Sequence, residues 1–159
     1  MTGELIGIFI TSEEGGQPIS VPNVDAIAGK GLRGDRYQMP EATPRKQLPD
    51  QQVTLIAIEA IQAANEKLQQ AFPPEQFRRN LLTQNVDLNA LVGQIFTIGS
   101  VQLRGVEPCD PCRRLEKFTC KGMIAALKKH GGLRCEILQS GTLHPGLPIQ
   151  LTPTPEDAA

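Results

Sequence analysis

The chain has 159 residues, of which 40% are hydrophobic, a size and composition typical of a single soluble globular domain. Its 16 basic and 17 acidic side chains give a net charge of −1, which excludes an overall field attractive to nucleic acid or an anionic membrane. A membrane-spanning helix is also excluded, because no segment approaches the roughly 20 apolar residues that it needs.

The N-terminus lacks the basic and apolar regions of a signal peptide. We therefore expect a cytoplasmic protein, with neither nucleic acid nor membrane as a partner. One domain is expected over residues 1–159, with its core at about 4–151 and a flexible tail at 153–159.

Short apolar runs separated by glycine and proline predict a series of β-strands. Parallel pairing needs a helix between most successive strands, and that spacing is absent. The pattern therefore predicts a mainly β fold, with a largely antiparallel, barrel-like core and a few peripheral helices. The predicted strands are Leu5–Ile10, Gln52–Ala57, Ile95–Ile98, Val101–Val106, Leu133–Leu138 and Leu147–Leu151.

Two helices are predicted between these strands. The first, Ile58–Ala71, has an apolar face that covers the core and stops at Pro73-Pro74. The second runs from an N-cap at Thr119 to His130, with Gly131-Gly132 as its stop signal. The long segment Gln38–Gln51 is predicted to be a loop that is either functional or mobile.

The four cysteines fall into two classes. Cys120 and Cys135 follow the apolar periodicity of their elements, so we expect both to be buried and structural. Cys109 and Cys112 each adjoin a proline, which predicts a loop with some solvent access. A rigid turn with incidental cysteines and a structural zinc site are alternative interpretations.

The segment Cys109-Asp110-Pro111-Cys112 is followed by two arginines. A neighbouring guanidinium favours thiolate over thiol, and thiolate attacks electrophiles and binds soft metals. Cys112 is therefore predicted to be the chemical centre. A thioredoxin-type role would require a strand–helix–strand unit at this pair, and the pattern there does not provide one.

A second group of polar residues lies at Lys30–Tyr37. Its glycines allow a ligand to approach the backbone closely, and its cations surround one carboxylate. Arg33 and Arg36 suit a phosphate or the carbonyls of a pterin, and Asp35, after Gly34, is an acceptor for N–H groups. A solvated turn is the alternative.

A third group, Phe77–Leu82, reads as a strand. Alternation places Arg78 and Asn80 on one face, directed together into a polar site, and leaves Arg79 on the apolar face unless the strand is bulged. A partly buried arginine needs a partner, which is either a bound anion or an internal carboxylate.

The order and spacing of these motifs resemble the MOSC domain family, which is related to the C-terminal part of molybdenum cofactor sulfurases. The resemblance covers about residues 4–151. It is carried, in chain order, by Gly31–Tyr37, Gln52–Leu55, Phe77–Asn80, Asp87–Gly93, Ile98-Gly99 and Glu107–Cys112.

The resemblance implies a β-barrel-like fold that binds molybdenum cofactor, a metal held by the dithiolene of a phosphorylated pterin; a family-level association with pyridoxal phosphate comes with it. By position Cys112 matches the cysteine that coordinates molybdenum in members that reduce N-hydroxylated compounds, and Cys109 becomes a supporting or resolving thiol. The implied cofactor-binding residues are Arg33, Gly34, Asp35, Arg36, Arg78, Arg79, Asn80 and Cys109.

Three functions stay open. The first is reduction of small N-hydroxylated molecules, with electrons from an external donor protein, since the chain lacks a ferredoxin-like cysteine set. The second is a non-redox carrier of sulfur, as a Cys112 persulfide, or of the cofactor. The third is a zinc-stabilised interaction domain.

Overall fold

A computed structural model describes residues 3–152 and shows a β-rich fold with three short helices in that range. The helices are α1 (Ile58–Leu68), α2 (Arg113–Phe118) and α3 (Met123–Ala126). The strands are β1 (Gly3–Ile10), β2 (Ile19–Ser20), β3 (Val24–Ile27), β4 (Gly31–Leu32), β5 (Val53–Ala57), β6 (Leu81–Gln84), β7 (Ile95–Ile98), β8 (Val101–Pro108), β9 (Leu133–Gln139), β10 (Gly141–Leu143) and β11 (Pro148–Leu151).

Seven strands close into a barrel in the order β11-β7-β8-β9-β5-β6-β1, and pairing of β1 with β11 completes the ring. The predicted mainly β, barrel-like fold is confirmed. All of its pairs are antiparallel except β5–β6, which is parallel and is connected through α1. The sequence pattern did not predict this strand–helix–strand unit. A parallel sheet is predicted from repeated alternation of strands and helices, and the part of the chain that the structure describes contains a single such unit. β3, β4 and β10 form a separate small sheet.

The barrel interior is filled by alternating apolar side chains, including Leu5, Leu55, Phe96 and Leu103, none of which is exposed to solvent. A second apolar cluster lies between the barrel wall and the helices and is centred on Phe77 and Met123. Burial of both clusters is the main term that fixes the fold. It holds the helices to one side of the barrel, where the CxxC segment emerges from β8.

The first predicted helix is confirmed in position but ends at Leu68, three residues early. Gln69 adopts a left-handed conformation with φ 52°, and its N–H donates to a carbonyl of the last turn. The Asn65 side chain both donates to and accepts from the backbone of Phe72. These local bonds satisfy the helix end, so the chain turns before it reaches the prolines.

The prediction of a second helix over Thr119–His130 is wrong. α2 begins earlier, and the chain breaks before α3 at Gly122, whose φ is +100°. Thr119 follows α2, and its hydroxyl donates to the Leu115 carbonyl, so it ends a helix where the sequence predicted a start. The Glu116 carboxylate accepts from two backbone N–H groups beyond the break, at Gly122 and Ile124.

The predicted loop 38–51 contains one short 3-10 turn, Pro49–Gln51, and is tied to the barrel. The buried Lys30 ammonium donates to the backbone carbonyls of Thr43 and Arg45. The Gln47 N–H donates to the Gly29 carbonyl at 2.8 Å. The predicted tail 153–159 lies outside the described residues. Between residues 3 and 152, no helix has the length and apolarity needed to cross a membrane.

Candidate functional site

The Cys109–Cys112 segment leaves β8 and turns directly into α2. Cys112 is exposed and precedes the first residue of α2, whereas Cys109 is 1% exposed and its N–H donates to the Gly132 carbonyl at 2.8 Å. The prediction of solvent access is therefore confirmed for Cys112 and wrong for Cys109. Hydrogen bonding at its backbone draws Cys109 into the fold, which the proline pattern could not show.

The other two cysteines are less exposed than Cys112. Cys135 is fully buried, as predicted, and burial raises the pKa of its thiol well above the ordinary value, with a smaller contribution from Cys109. Cys120 is only partly buried, because it lies in the break between α2 and α3 and not on the face of a continuous helix.

Arg79 fixes the backbone of the CxxC segment. Its guanidinium donates from Nε to the Gly131 carbonyl at 2.9 Å and from Nη2 to the carbonyls of Cys109 and Asp110 at 3.3 and 3.4 Å. Gly131 packs against the same segment, since a Cβ built there would lie 2.4 Å from the Cys109 oxygen. These contacts determine where Cys112 projects.

The predicted strand Phe77–Leu82 is corrected, because its first half is a turn. A 3-10 turn ends at Phe77, Arg78 is left-handed with φ 61°, and β6 begins only at Leu81. Arg78 and Asn80 therefore do not share a strand face. Asn80 is buried, and its side chain accepts from the Thr54 N–H and hydroxyl and donates to the Phe9 carbonyl at 3.1 Å.

The Gly34–Tyr37 segment lies against the end of β1. Asp35 is buried, and its carboxylate accepts from the Thr11 N–H at 2.9 Å and, more weakly, from the Tyr37 N–H at 3.4 Å. The Arg36 N–H donates to the Thr11 carbonyl at 2.7 Å. Gly34, with φ +89°, makes the turn that precedes them. Asp35 thus orients the backbone that carries Arg36.

Two cations of the same motif have carboxylate or carbonyl partners. Arg33 is ion-paired with Asp25 and Glu41 on the exposed face of the small sheet. Lys30 is engaged by the loop carbonyls described above. Neither guanidinium nor ammonium group is left free for a ligand in this arrangement.

Three arginines from separate segments, Arg36, Arg78 and Arg114, lie close enough for the charges of the other two to act on Arg78, and we call them the arginine cluster. The Arg36 guanidinium lies 4.4 Å from the ring centroid of Tyr37, and that of Arg78 lies 4.1 Å from the ring centroid of Phe118, at the end of α2. Arg114 pairs with Glu14 at 3.2 Å. The cluster brings the Gly-Asp motif, the Arg-Arg-Asn motif and α2 together.

Arg78 lies in an environment that is unfavourable for a charged side chain. Burial, followed by the positive charges of Arg36 and Arg114, lowers the pKa of its guanidinium. Its Nη2 is buried and has no hydrogen-bond partner among residues 3–152. A partly buried guanidinium remains charged, so a bound anion would satisfy the buried Nη2 donor and offset the repulsion.

Sequence reasoning missed Arg114, Tyr37 and Phe118 as members of the site. The Cys-Arg-Arg run was a signal for Arg114, but the contacts of Tyr37 and Phe118 depend on tertiary structure. A cavity of about 510 Å³ adjoins the cluster. Its lining consists of Glu14, Arg36, Tyr37, Asp50, Gln51, Glu107 and Arg134.

The sequence matches the MOSC domain family over residues 34–150, about three quarters of the chain. The chain belongs to the MOSC domain family. The match includes the Gly-Asp motif, the Arg-Arg-Asn motif and the CxxC segment, which are the segments that form the site. Membership relates this MOSC domain to the molybdenum cofactor at the level of the family.

Solved structures support the MOSC fold at low sequence identity. The YUAD protein from Bacillus subtilis superposes with a TM-score of 0.81 at 18% identity, covering 95% of this chain and 96% of that one. YiiM from Geobacillus stearothermophilus gives 0.71 at 16%, covering 94% and 75%. YiiM from Escherichia coli gives 0.65 at 21%, covering 94% and 69%. A comparison with curated proteins found no match.

The residues of this MOSC site fit a phosphorylated, thiolate-liganded cofactor. The partnerless Nη2 of Arg78 lies in a cluster of cations, and an exposed thiol precedes the helix that carries Arg114. No three histidine, cysteine, aspartate or glutamate side chains within residues 3–152 are grouped closely enough to hold a metal ion. The zinc-domain interpretation, which needs about four such ligands, gains no support.

Proposed function

We propose that this protein binds molybdenum cofactor at the arginine cluster and uses it to reduce small N-hydroxylated compounds. The observation that carries the proposal is the buried, partnerless Nη2 of Arg78 beside Arg36 and Arg114. A pterin phosphate supplies oxygen acceptors and negative charge for such a cluster.

Each of the chain's own residues has a distinct part in this proposal. Arg36, Arg78 and Arg114 hold the anionic end of the cofactor, and the Cys112 thiolate is the protein ligand to the soft metal. Arg79 and Asp35 act as positioning residues, because they fix the backbone of the two segments that carry Cys112 and Arg36. When bound, the cofactor supplies the electron and oxygen-atom chemistry.

The reaction consumes two electrons and two protons for each N–OH bond cleaved, and it yields an N–H bond and water. The cavity of about 510 Å³ next to Arg36 and Tyr37 is the proposed space for the small substrate. The electrons come from an external donor protein. All four cysteines are free thiols, which suits the expected reducing cytoplasm.

The experiment is elemental analysis of protein expressed in a host that makes molybdenum cofactor. We expect near-stoichiometric molybdenum in the wild type, loss of metal in Cys112→Ser, and reduced retention in Arg78→Met, which keeps an apolar stem on Phe118. Cys120→Ser is the matched control and should retain the metal, because Cys120 lies in the helix break.

A wild-type preparation that lacks molybdenum would overturn the proposal. If mass spectrometry of that preparation showed one added sulfur atom on Cys112, the sulfur-carrier alternative would replace it, and the exposure of this thiol would then serve the transfer. Zinc at one equivalent, with unfolding on chelation, would favour the interaction-domain alternative.

A further inference from the structure

The positive charge of this near-neutral chain is concentrated around the exposed thiol. Between Asp110 and His130 there are six lysines and arginines and two carboxylates, a net charge of +4. The remaining sequence has ten basic and fifteen acidic residues, a net charge of −5. The overall value of −1 therefore conceals a strong asymmetry, which creates a local positive field.

These cations point to solvent, and their own segment does not neutralise them. Arg113, Lys117, Lys121, Lys128 and Lys129 are all exposed, and none of them makes a salt bridge within residues 3–152. The Glu116 carboxylate is committed to two backbone N–H groups beyond α2. We call this surface, residues 113–129, the basic face.

A groove of about 630 Å³ runs along the basic face beside the CxxC segment. Pro111, Ile124 and Ala125 contribute apolar surface to it. Its charged lining consists of three cations, Lys121, Lys128 and Lys129, and two carboxylates, Asp110 and Glu116, of which Glu116 is the one bonded to backbone N–H groups. An apolar surface bordered by cations has the composition of a site for an acidic protein, with apolar contact at its centre and ion pairs around it. Pro111 is the residue next to Cys112.

We propose that the basic face docks an acidic electron-donor protein of the iron–sulfur class. The inference rests on the proposed function, in which reduction of an N–OH bond consumes two electrons that the donor gives up. Electron-transfer encounters are small, weak and steered by complementary charge. A donor seated here lies beside the segment that carries Cys112, the proposed metal ligand.

The charge distribution favours a compact acidic protein over an extended polyanion. A membrane surface or a long duplex would interact with the molecule as a whole, whose remaining sequence carries −5, and the basic face would then contribute less to binding. A small protein can contact the basic face alone. Its association should weaken as salt screens the charges, over a Debye length of about 10 Å at 0.1 M.

The experiment measures binding of an acidic [2Fe–2S] ferredoxin to the full chain by calorimetric titration at low and high salt. The test variant is Lys121→Glu/Lys128→Glu, on the rim of the groove. The matched control is Arg45→Glu/Lys46→Glu, which changes the net charge equally at exposed positions of the loop 38–51. We expect affinity to fall about tenfold or more in the test variant and to change less than about twofold in the control.

Equal weakening in both variants, or no ferredoxin binding at low salt, would overturn the docking proposal. Tighter, groove-dependent binding to vesicles rich in anionic phospholipid, or to a mixed-sequence DNA duplex, would also overturn it. Molybdenum content and turnover with reduced viologen, a chemical donor, are measured on the same variants. If both stay at wild-type values while ferredoxin fails to bind, only the docking site is lost; absent molybdenum removes the proposed function itself.

Discussion

At the scale of single residues, polar side chains near the candidate site fall into two groups: those that hydrogen-bond to the backbone and those with a donor left free for a ligand. The sequence does not distinguish the roles of Asn80 and Asp35 from those of Arg78 and Arg36, because all four are polar residues in short motifs. In the structure the first two are buried with backbone partners, whereas Arg78 retains an unused buried donor. The proposed anion site therefore rests on the free donor and not on the motif.

Asn80→Ala should destabilise the protein by about 2–4 kcal/mol, because the side chain's bonds to Thr54 and Phe9 are buried and their partners would be left unsatisfied. Urea unfolding measures the change in free energy. Asn23→Ala is the matched control at an exposed position and should stay within about 0.5 kcal/mol of the wild type. A comparable loss in both variants would contradict a specific role for Asn80.

Cys135 should make stability fall at alkaline pH. Its folded pKa is raised by burial, so above the unfolded value of about 8.5 the unfolded chain releases a proton that the folded chain keeps. The contribution of this thiol to the free energy of unfolding is fully present below that pH and is lost as the pH rises toward the folded pKa. Urea unfolding at pH 7.5 and 9.5 should show a smaller decline in Cys135→Ala; an equal decline would refute the assignment.

At the scale of elements, the β8–α2 connection is held in place by residues from other parts of the chain. Arg79 lies two residues before β6 and Gly131 in the turn before β9, and both contact the backbone of the CxxC segment. The break between α2 and α3 turns the chain so that the groove of the basic face opens beside the same segment. The connection is thus fixed by two neighbouring elements.

Gly131→Ala should displace this connection. The added Cβ would lie 2.4 Å from the Cys109 oxygen and 2.7 Å from the Pro111 Cδ. The backbone of the CxxC segment or that of the turn before β9 must therefore shift. We expect a loss of about 2 kcal/mol or more and faster labelling of Cys109 by a thiol reagent, read by peptide mass spectrometry. Gly7→Ala, whose Cβ would have no neighbour closer than 3.4 Å, should show neither change.

At the scale of the whole molecule, closure of the barrel brings distant segments to one site. Ile149 on β11 pairs with Gly3 on β1 and with Ile98 on β7, so a single strand joins the two ends of the sheet. The start of β6 lies beside the ends of β1 and β8, as the bonds from Asn80 to Phe9 and from Arg79 to Cys109 show, and Arg36, Arg78 and Arg114 lie near this point. Closure leaves no free strand edges in the ring.

Ile149→Ala should lower the free energy of unfolding by about 2–4 kcal/mol, because Ile149 is 4% exposed and lies in the barrel core. Unfolding curves recorded by far- and near-ultraviolet circular dichroism should still coincide in one transition, as expected for one cooperative unit. Gln150→Ala, on the exposed side of the same strand, should change stability by less than about 0.5 kcal/mol.

Local sequence pattern alone determined the fold class, most barrel strands, the first helix and the exposure of Cys112. These features depend on apolar periodicity and on the chemistry of adjacent residues, both of which are visible along the chain. The short strands β2, β3, β4 and β10 were missed because two to four residues carry too little periodicity.

Only the tertiary structure decided which polar residues lie together at the candidate site. Arg78 does not share a strand face with Asn80 because its own backbone is left-handed. Cys109 was buried by a bond to Gly132, and the second helix was divided by Gly122. Arg114 joined the cluster through barrel closure. Each outcome depends on contacts between segments far apart in sequence, whose energies exceed local preference.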